Sequence, residues 1–356
     1  MNLKTNFDNL YLNNPLMPAS GPIVGDSKKL LFLQNEGVGA LVTKTISTKE
    51  PHIPRPCIYG DKDYIMNSEL WSEHSLETWV NEFLPELVKN KDRPIIISVG
   101  YSKEDMEILI PALDKFADAF EVSTHYVGTD LSVIETTVKT IRKHTKKPFY
   151  MKISPHIPSP IEFAKTIYNA GASGIVAINS LGPTLKIDLP TKSIKYGAES
   201  GFVWTSGPVI KNLALATVYN IKKALPHITV IGVGGVKSAE DVIEFLLAGA
   251  SGVQMLSGAM LKGKGLYKKI INDLPSTLEK YGFNSVEEVI NYQLNNPVTY
   301  EKHTPILEEE LCTKCQLCVK ICPYFAIELK DKITFDDDLC FGCGLCISKC
   351  PTKALK

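Results

Sequence analysis

Short runs of consecutive apolar residues recur over about the first 260 positions, separated by stretches whose apolar residues fall at helical spacing. The runs predict strands at about 15–19 (PLMPA), 39–43 (GALVT), 94–99 (PIIISV) and 118–122 (DAFEV). Four more are expected at about 148–153 (PFYMKI), 174–178 (GIVAI), 228–232 (ITVIG) and 252–256 (GVQML). Helical patterns cover 103–116, 131–145, 159–170, 208–224 and 238–248, with a helical tail over 259–294. Strands that are apolar throughout need cover on both faces, as in a parallel sheet with helices outside. Eight such units predict an α/β fold, a (β/α)8 TIM barrel of about 250 residues. An open doubly wound sheet is the alternative, and the number of strands speaks against it. Two stretches exceed a minimal barrel, 44–93 and 180–207. Both follow strands and are expected at the C-terminal mouth, where long loops build active sites.

After the tail the pattern changes. Cys312-x2-Cys315-x2-Cys318-x3-Cys322-Pro323 is followed by Cys340-x2-Cys343-x2-Cys346-x3-Cys350-Pro351, which together hold eight of the nine cysteines. This is the bacterial two-cluster ferredoxin spacing, in which the fourth cysteine of each run serves the other cluster. Cys312, Cys315, Cys318 and Cys350 are therefore expected around one [4Fe-4S] cluster, and Cys340, Cys343, Cys346 and Cys322 around the second. Zinc is the competing use of paired C-x2-C motifs, and two complete four-cysteine runs argue against it. The expected organisation is a barrel over 1–295, a linker over 296–310 and a small α+β ferredoxin-like domain with two [4Fe-4S] clusters over 311–356.

Charge narrows the field. With 39 basic and 39 acidic side chains there is no basic signature for nucleic acid. The N-terminus lacks an apolar signal core, and no apolar run reaches the length of a membrane span. Cysteines gathered at cluster spacing, not scattered as a disulfide framework, fit a reducing compartment, so a cytoplasmic location is expected. Cys57, outside the clusters, is expected to be a buried, inert thiol.

The strand ends carry polar residues: Ala19-Ser20-Gly21, Thr43-Lys44-Thr45, Ser123-Thr124-His125-Tyr126, Lys152, Asn179-Ser180, Gly234-Gly235 and Ser257-Gly258. A flavin phosphate needs backbone N–H groups and a glycine-lined approach, which barrels often supply after strands seven and eight. VGG at 233–235 alone reads equally as a tight strand-to-helix turn; paired with Ser257-Gly258 one unit later it forms a phosphate cradle. Lys44 and Lys152 close apolar strands. They either snorkel to the rim or place positive charge by the flavin pyrimidine edge. Asn67, Asn179 and Ser180 offer hydrogen bonds to a polar heterocycle. Trp71, Trp79 and Trp204 lie in or beside the long loops, where packing and pocket lining are both open.

At NPLMPASGP, GALVTKTIS, MNSELW, FYMKIS, AINSLG, IGVGG and GVQM the chain resembles the dihydroorotate dehydrogenase-like FMN barrels. It looks most like class 1 dihydroorotate dehydrogenases and the FMN/iron–sulfur part of dihydropyrimidine dehydrogenases. The resemblance implies FMN contacts from Ala19, Ser20, Lys44, Thr45, Lys152, Gly207, Gly234, Gly235, Ser257 and Gly258. It turns Asn67, Asn179 and Ser180 toward the substrate. Two departures stand out. QMLSGA replaces the family's Q-x-G-T-A at the phosphate end. After the fourth strand, where the family reads E-x-N-x-S-C-P-N, Ser123, Tyr126 and Gly128 stand in place of the first asparagine, the proton-transfer cysteine and the last asparagine.

His125 and Tyr126 are the replacement candidates. Histidine titrates near neutral pH, whereas tyrosine, with a pKa of about 10, stays protonated. Packing against the flavin without acid–base chemistry is the plainer role for either. The sequence thus predicts an FMN and iron–sulfur oxidoreductase that reduces, or in reverse oxidises, an activated C=C bond of a small polar substrate. A dihydropyrimidine or dihydroorotate dehydrogenase with an unusual proton-transfer residue, or an electron-transfer subunit without substrate chemistry, are the alternatives. No Rossmann-type fingerprint appears. The expected electron partner is therefore a ferredoxin or a separate flavoprotein that oxidises NAD(P)H, and the resemblance implies a possible homodimer.

Overall fold

All eight apolar runs fold as strands and pair in parallel in chain order. The computed structural model describes every residue except Ala198 and Pro297. Its strands are β1 (Leu16–Pro18), β2 (Leu41–Val42), β3 (Ile95–Val99), β4 (Ala119–Ser123), β5 (Phe149–Ile153), β6 (Gly174–Ala177), β7 (Thr229–Val233) and β8 (Gly252–Met255). β3, β4, β5 and β7 are buried at every position, which is why these runs are continuously apolar. Ladder pairing runs from β2 through to β8 and from β8 back to β1. At the remaining seam the Gly39 N–H donates to the Leu16 carbonyl at 2.8 Å. A Cβ at Gly39 would lie 2.0 Å from the Asn14 carbonyl oxygen, so glycine is what lets the two strands meet. The result is a nearly closed TIM barrel.

The helices are α1 (Ser27–Asn35), α2 (Leu84–Asn90), α3 (Lys103–Leu113), α4 (Ser132–His144), α5 (Pro160–Asn169), α6 (Lys211–Ala224), α7 (Ala239–Leu247) and α8 (Leu266–Lys280). Asp26, Ser102, Ser159 and Ser238 cap α1, α3, α5 and α7 by accepting a backbone N–H of the first turn. Helices and strands share a large apolar layer outside the barrel. A hairpin pairing Thr5–Phe7 with Leu10–Leu12 sends Phe7, Leu10 and Leu12 into the inner cluster with Val42, Tyr150 and Ile231. The expected tail over 259–294 resolves into a short helix Ser257–Lys262, then α8, then Val286–Asn291.

The two long loops do something the pattern did not foretell: they pair with each other. Leu181–Thr184, Val203–Ser206, Ile65–Asn67 and Ile58–Gly60 form, in that order, a four-stranded antiparallel sheet. Trp204 stands opposite Asn67 in it. Cys57, expected to be buried, is half-buried, and its thiol is pushed up first by burial and then by Glu69.

The chain divides into two compact units, Met1–Leu294 and Asn295–Lys356. The second contains short helices Leu317–Ile321 and Leu345–Lys349 and a hairpin of Ile327–Leu329 with Ile333–Phe335. Within the segment expected as a linker, 296–310, Ile306 and Glu308 hydrogen-bond through the backbone to Lys356 and Ala354. Those positions are therefore part of the cysteine-rich unit. Pro297, in the same segment, lies outside the described residues.

Candidate active site

The C-terminal ends of the barrel strands open on a cavity of about 300 Å³. The ten residues expected to hold FMN all line it. From β1 and β2 come Ala19, Ser20, Lys44 and Thr45; from β5, Lys152; from the later loops, Gly207, Gly234, Gly235, Ser257 and Gly258. Asn67, Asn179 and Ser180 line it as well. Trp71 and Trp204 reach it from the long loops, whereas Trp79 is fully buried and donates its indole N–H to Ser72 at 2.8 Å.

Beneath the cavity runs a polar network beyond the residues expected from the sequence. Glu121, fully buried on β4, accepts from Lys152 Nζ at 3.1 Å and from Gln254 Nε2 at 2.7 Å. A hydroxyl chain joins Ser20, Thr45 and Ser98 at 2.9 Å per step, and Ser98 Oγ lies 3.5 Å from Glu121. A carboxylate inside an otherwise apolar strand is affordable only when paired and hydrogen-bonded, so the Glu in AFEVS was the available signal. Lys152 does not snorkel: its side chain is 7 % exposed and points into the network.

Lys44 is more occupied than expected. Its ammonium, on a side chain 2 % exposed, is held by Glu69 at 2.7 Å and Glu73 at 2.6 Å, both from the 44–93 loop. Burial raises the Glu73 carboxyl, but the hydrogen bond and charge of Lys44 win and hold it below the usual range.

The adjacent candidates after β4 part company. His125 lines the cavity, with its backbone in the left-handed region at φ 51° and its ring edge-on to Trp71 at 5.2 Å. Tyr126 does not line it. Its hydroxyl donates to the Asp130 carbonyl of its own loop at 2.5 Å, and its ring packs against the outer apolar layer. His125 is exposed at the rim of the mouth, yet the walls around it, and then repulsion from Lys152, lower it to about 4. The ring is neutral near pH 7.

Two observations show that a flavin fits. Gly234 and Gly235 have φ of 131° and 79°, and a Cβ on Gly235 would come within 2.9 Å of the Gly207 carbonyl oxygen. Glycine there lets the loop after β7 pack closely on Gly207 and Lys211 and present its backbone at the cavity wall. The short helix starting at Ser257 adds first-turn N–H groups that have no partner inside the helix. Second, Gln254 Oε1 is the one buried side-chain polar atom without a hydrogen-bond partner among the described residues, and Gln254 lines the cavity. Its amide nitrogen is fixed on Glu121, so an acceptor is left for a heterocycle N–H.

In the cysteine-rich unit, Cys312, Cys315, Cys318 and Cys350 line one pocket, the set that crosses between the runs. The two runs repeat each other's backbone. Lys314 and Gln316 have positive φ where Gly342 and Gly344 do, and Phe325 matches Lys353. Ala326 donates its N–H to Cys322 Sγ at 3.4 Å, and Ala354 donates to Cys350 Sγ at 3.3 Å. Such N–H···S bonds are among the devices that tune cluster potentials. Among the described residues no three His, Cys, Asp or Glu side chains converge closely enough for a single ion. A cubane asks for a wider set, because each thiolate binds a different iron.

A parallel barrel with a glycine-cradled polar mouth, carrying a ferredoxin-type unit, defines a flavin- and iron–sulfur-dependent oxidoreductase. The Dihydroorotate dehydrogenase family profile matches residues 2–278, and the 4Fe-4S dicluster domain profile matches 311–354. The chain belongs to the dihydroorotate dehydrogenase family, oxidoreductases acting on CH–CH bonds. The family implies FMN, and the dicluster domain implies iron–sulfur clusters. Similar proteins include the catalytic subunit of dihydroorotate dehydrogenase B (NAD(+)) of Oceanobacillus iheyensis, 31% identical over 82% of this chain and 98% of that protein. The corresponding subunit of Pyrococcus horikoshii is 33% identical over 80% of this chain and 95% of its own length. Dihydroorotate dehydrogenase A (fumarate) of Lactobacillus helveticus is 30% identical over 82% and 98%. No helix among the described residues is long and apolar enough to cross a membrane.

Proposed function

We propose that this protein reduces, or in reverse oxidises, an activated C=C bond of a small polar substrate, with His125 moving the proton. The observation that carries this reading is the position of His125. It is the only one of the two candidates in the cavity, which it shares with Lys152 and the residues expected to hold FMN. FMN, when bound, supplies the exchange between single electrons and a two-electron transfer. Ser20, Thr45, Lys152, Gly234 and Gly235 would hold it. Lys152 is held at the floor by its 3.1 Å ion pair with Glu121. Asn67 and Asn179 would orient the substrate's polar edge. As a neutral imidazole, His125 has a free nitrogen that can accept the proton of a dihydro-substrate. In the reducing direction it must first take up a proton, which its low pKa disfavours.

The two cysteine runs would hold two [4Fe-4S] clusters, in the crossed arrangement that the Cys312–Cys350 pocket supports. Electrons would then be exchanged with a ferredoxin or with a separate NAD(P)H-oxidising flavoprotein. The relatives named as catalytic subunits of an NAD(+) enzyme favour the second partner.

The test is anaerobic reoxidation of the reduced protein by uracil, thymine, orotate and a set of enoates, following flavin and cluster absorbance together. His125→Asn is expected to slow substrate-driven reoxidation by about 10²–10⁴-fold, the usual contribution of a positioned acid or base. FMN content and cluster reduction should survive, and Tyr126→Phe should stay within a few-fold of the unaltered protein. Turnover untouched by His125→Asn, or lost with Tyr126→Phe instead, would overturn the assignment.

A further inference from the structure

Resting on the reading that this cavity takes the substrate, we infer that its roof selects an uncharged substrate and rejects one carrying a carboxylate, with Glu69 as the residue that sets the preference. Lys44 is the cation nearest the long-loop side of the cavity, and both its partners come from that loop. Glu69 lines the cavity with a side chain only 12 % exposed; Glu73, which does not line it, has a side chain 39 % exposed. The second ammonium, on Lys152, is matched by Glu121 at 3.1 Å. Two ammonium groups are thus ion-paired with three carboxylates, of which only Glu69 lines the cavity, and among the described residues no arginine lines it. A carboxylate entering here finds both cations engaged and meets the Glu69 carboxylate on the wall. Walls of low polarisability strengthen that repulsion over its value in water. What remains for recognition is uncharged: the amides of Asn67 and Asn179 and the rings of Trp71 and Trp204. Flat rings bearing carbonyl and N–H groups fit that set.

The experiment uses the FMN- and cluster-loaded protein in its oxidised state and reads binding, not turnover, from the perturbation of flavin absorbance. It titrates two matched pairs, orotate against orotamide and cinnamate against cinnamamide. Within each pair the shape is nearly constant and the charge changes. The carboxamide is expected to bind at least about tenfold more tightly than its carboxylate, about 1.4 kcal/mol. Glu69→Gln removes the one carboxylate of the lining and should bring the ratio to about one. Glu69→Gln with Glu73→Gln frees Lys44 and should favour the carboxylate. The single variant leaves Glu73 on Lys44, so it keeps the test decisive where the double variant fails to fold. A carboxylate preference in the unaltered protein, or a ratio unmoved by Glu69→Gln, overturns the charge argument and leaves the substrate site standing. No perturbation by any of the four compounds overturns the site reading and this inference with it.

Discussion

Removing Glu121 tests whether the floor network is a true ion pair. Glu121→Leu leaves Lys152 charged at 7 % exposure with no carboxylate within reach, and takes from Gln254 the acceptor of its 2.7 Å hydrogen bond. Breaking one side of a buried pair costs about 3–5 kcal/mol. Unfolding entropy of about 2.1 cal/mol/K per residue over the 294 residues of the barrel unit comes to roughly 0.6 kcal/mol/K. The melting temperature should therefore drop by about 5–8 °C. Removing both charges in Glu121→Leu/Lys152→Met should recover most of that loss, since apolar replacement of a whole buried pair is often close to neutral. Thermal unfolding followed by circular dichroism checks this. It is run at one fixed FMN concentration, because a ligand that binds only the folded chain adds stability of its own. A drop below about 1 kcal/mol for the single variant, or a double variant no better than the single, would refute the reasoning.

The pH dependence of His125 has a definite sign. With a pKa lowered from 6.5 to about 4, the ring is an unprotonated base above about 4. Oxidation of a dihydro-substrate should hold its kcat/KM down to that pH, and a limb near 6.5 would show an unperturbed histidine instead. The same depression means the unfolded chain takes up the proton first. The native state thus loses stability as pH falls from 6.5 toward about 4. Gly235→Ala forces a Cβ onto a backbone at φ 79° and within 2.8 Å of Lys211 Cβ. It should cost about 1–2 kcal/mol and release FMN, measured as flavin per chain after gel filtration. Cys315→Ser should lower iron from about eight atoms per chain toward about four while flavin content stays unchanged. Loss of both cofactors together would contradict independent sites.

The strands were legible because a parallel strand buried on both faces has no polar positions to blur it, and all eight runs register in the barrel. The floor residues followed from them. Ser20, Lys44, Lys152 and Gly234 stand within a residue or two of a strand end, so their placement is inherited from the barrel. The cysteine runs were legible for a similar reason, since spacing along the chain fixes which thiolates can share a cluster. The roof was not. Glu69 and Glu73 sit in the irregular part of the 44–93 stretch, before its helix, and the sheet joining Asn67 to Trp204 is a long-range pairing with no local signature. Nor does alternation along β4 continue into its loop. The left-handed turn at His125 is what puts that ring, and not Tyr126, in the mouth.

This division bears on chemistry, because the two lysines of the mouth are fixed in different ways. Lys152 is paired by Glu121 from the neighbouring strand, where register holds both side chains and no substrate can alter the match. Lys44 is paired by carboxylates that arrive on a loop, and its charge is therefore set by whatever that loop carries. A barrel of this kind can keep its flavin floor while its substrate preference is rewritten by one or two residues of the roof. The loop after β4 shows the same freedom. Its Tyr126 hydroxyl is spent on Asp130, and His125 is the residue of the two that lines the cavity. Membership of the family therefore fixes the cofactor end of the reaction more firmly than the substrate end. The charge balance around Lys44 is the feature from which the substrate is best sought.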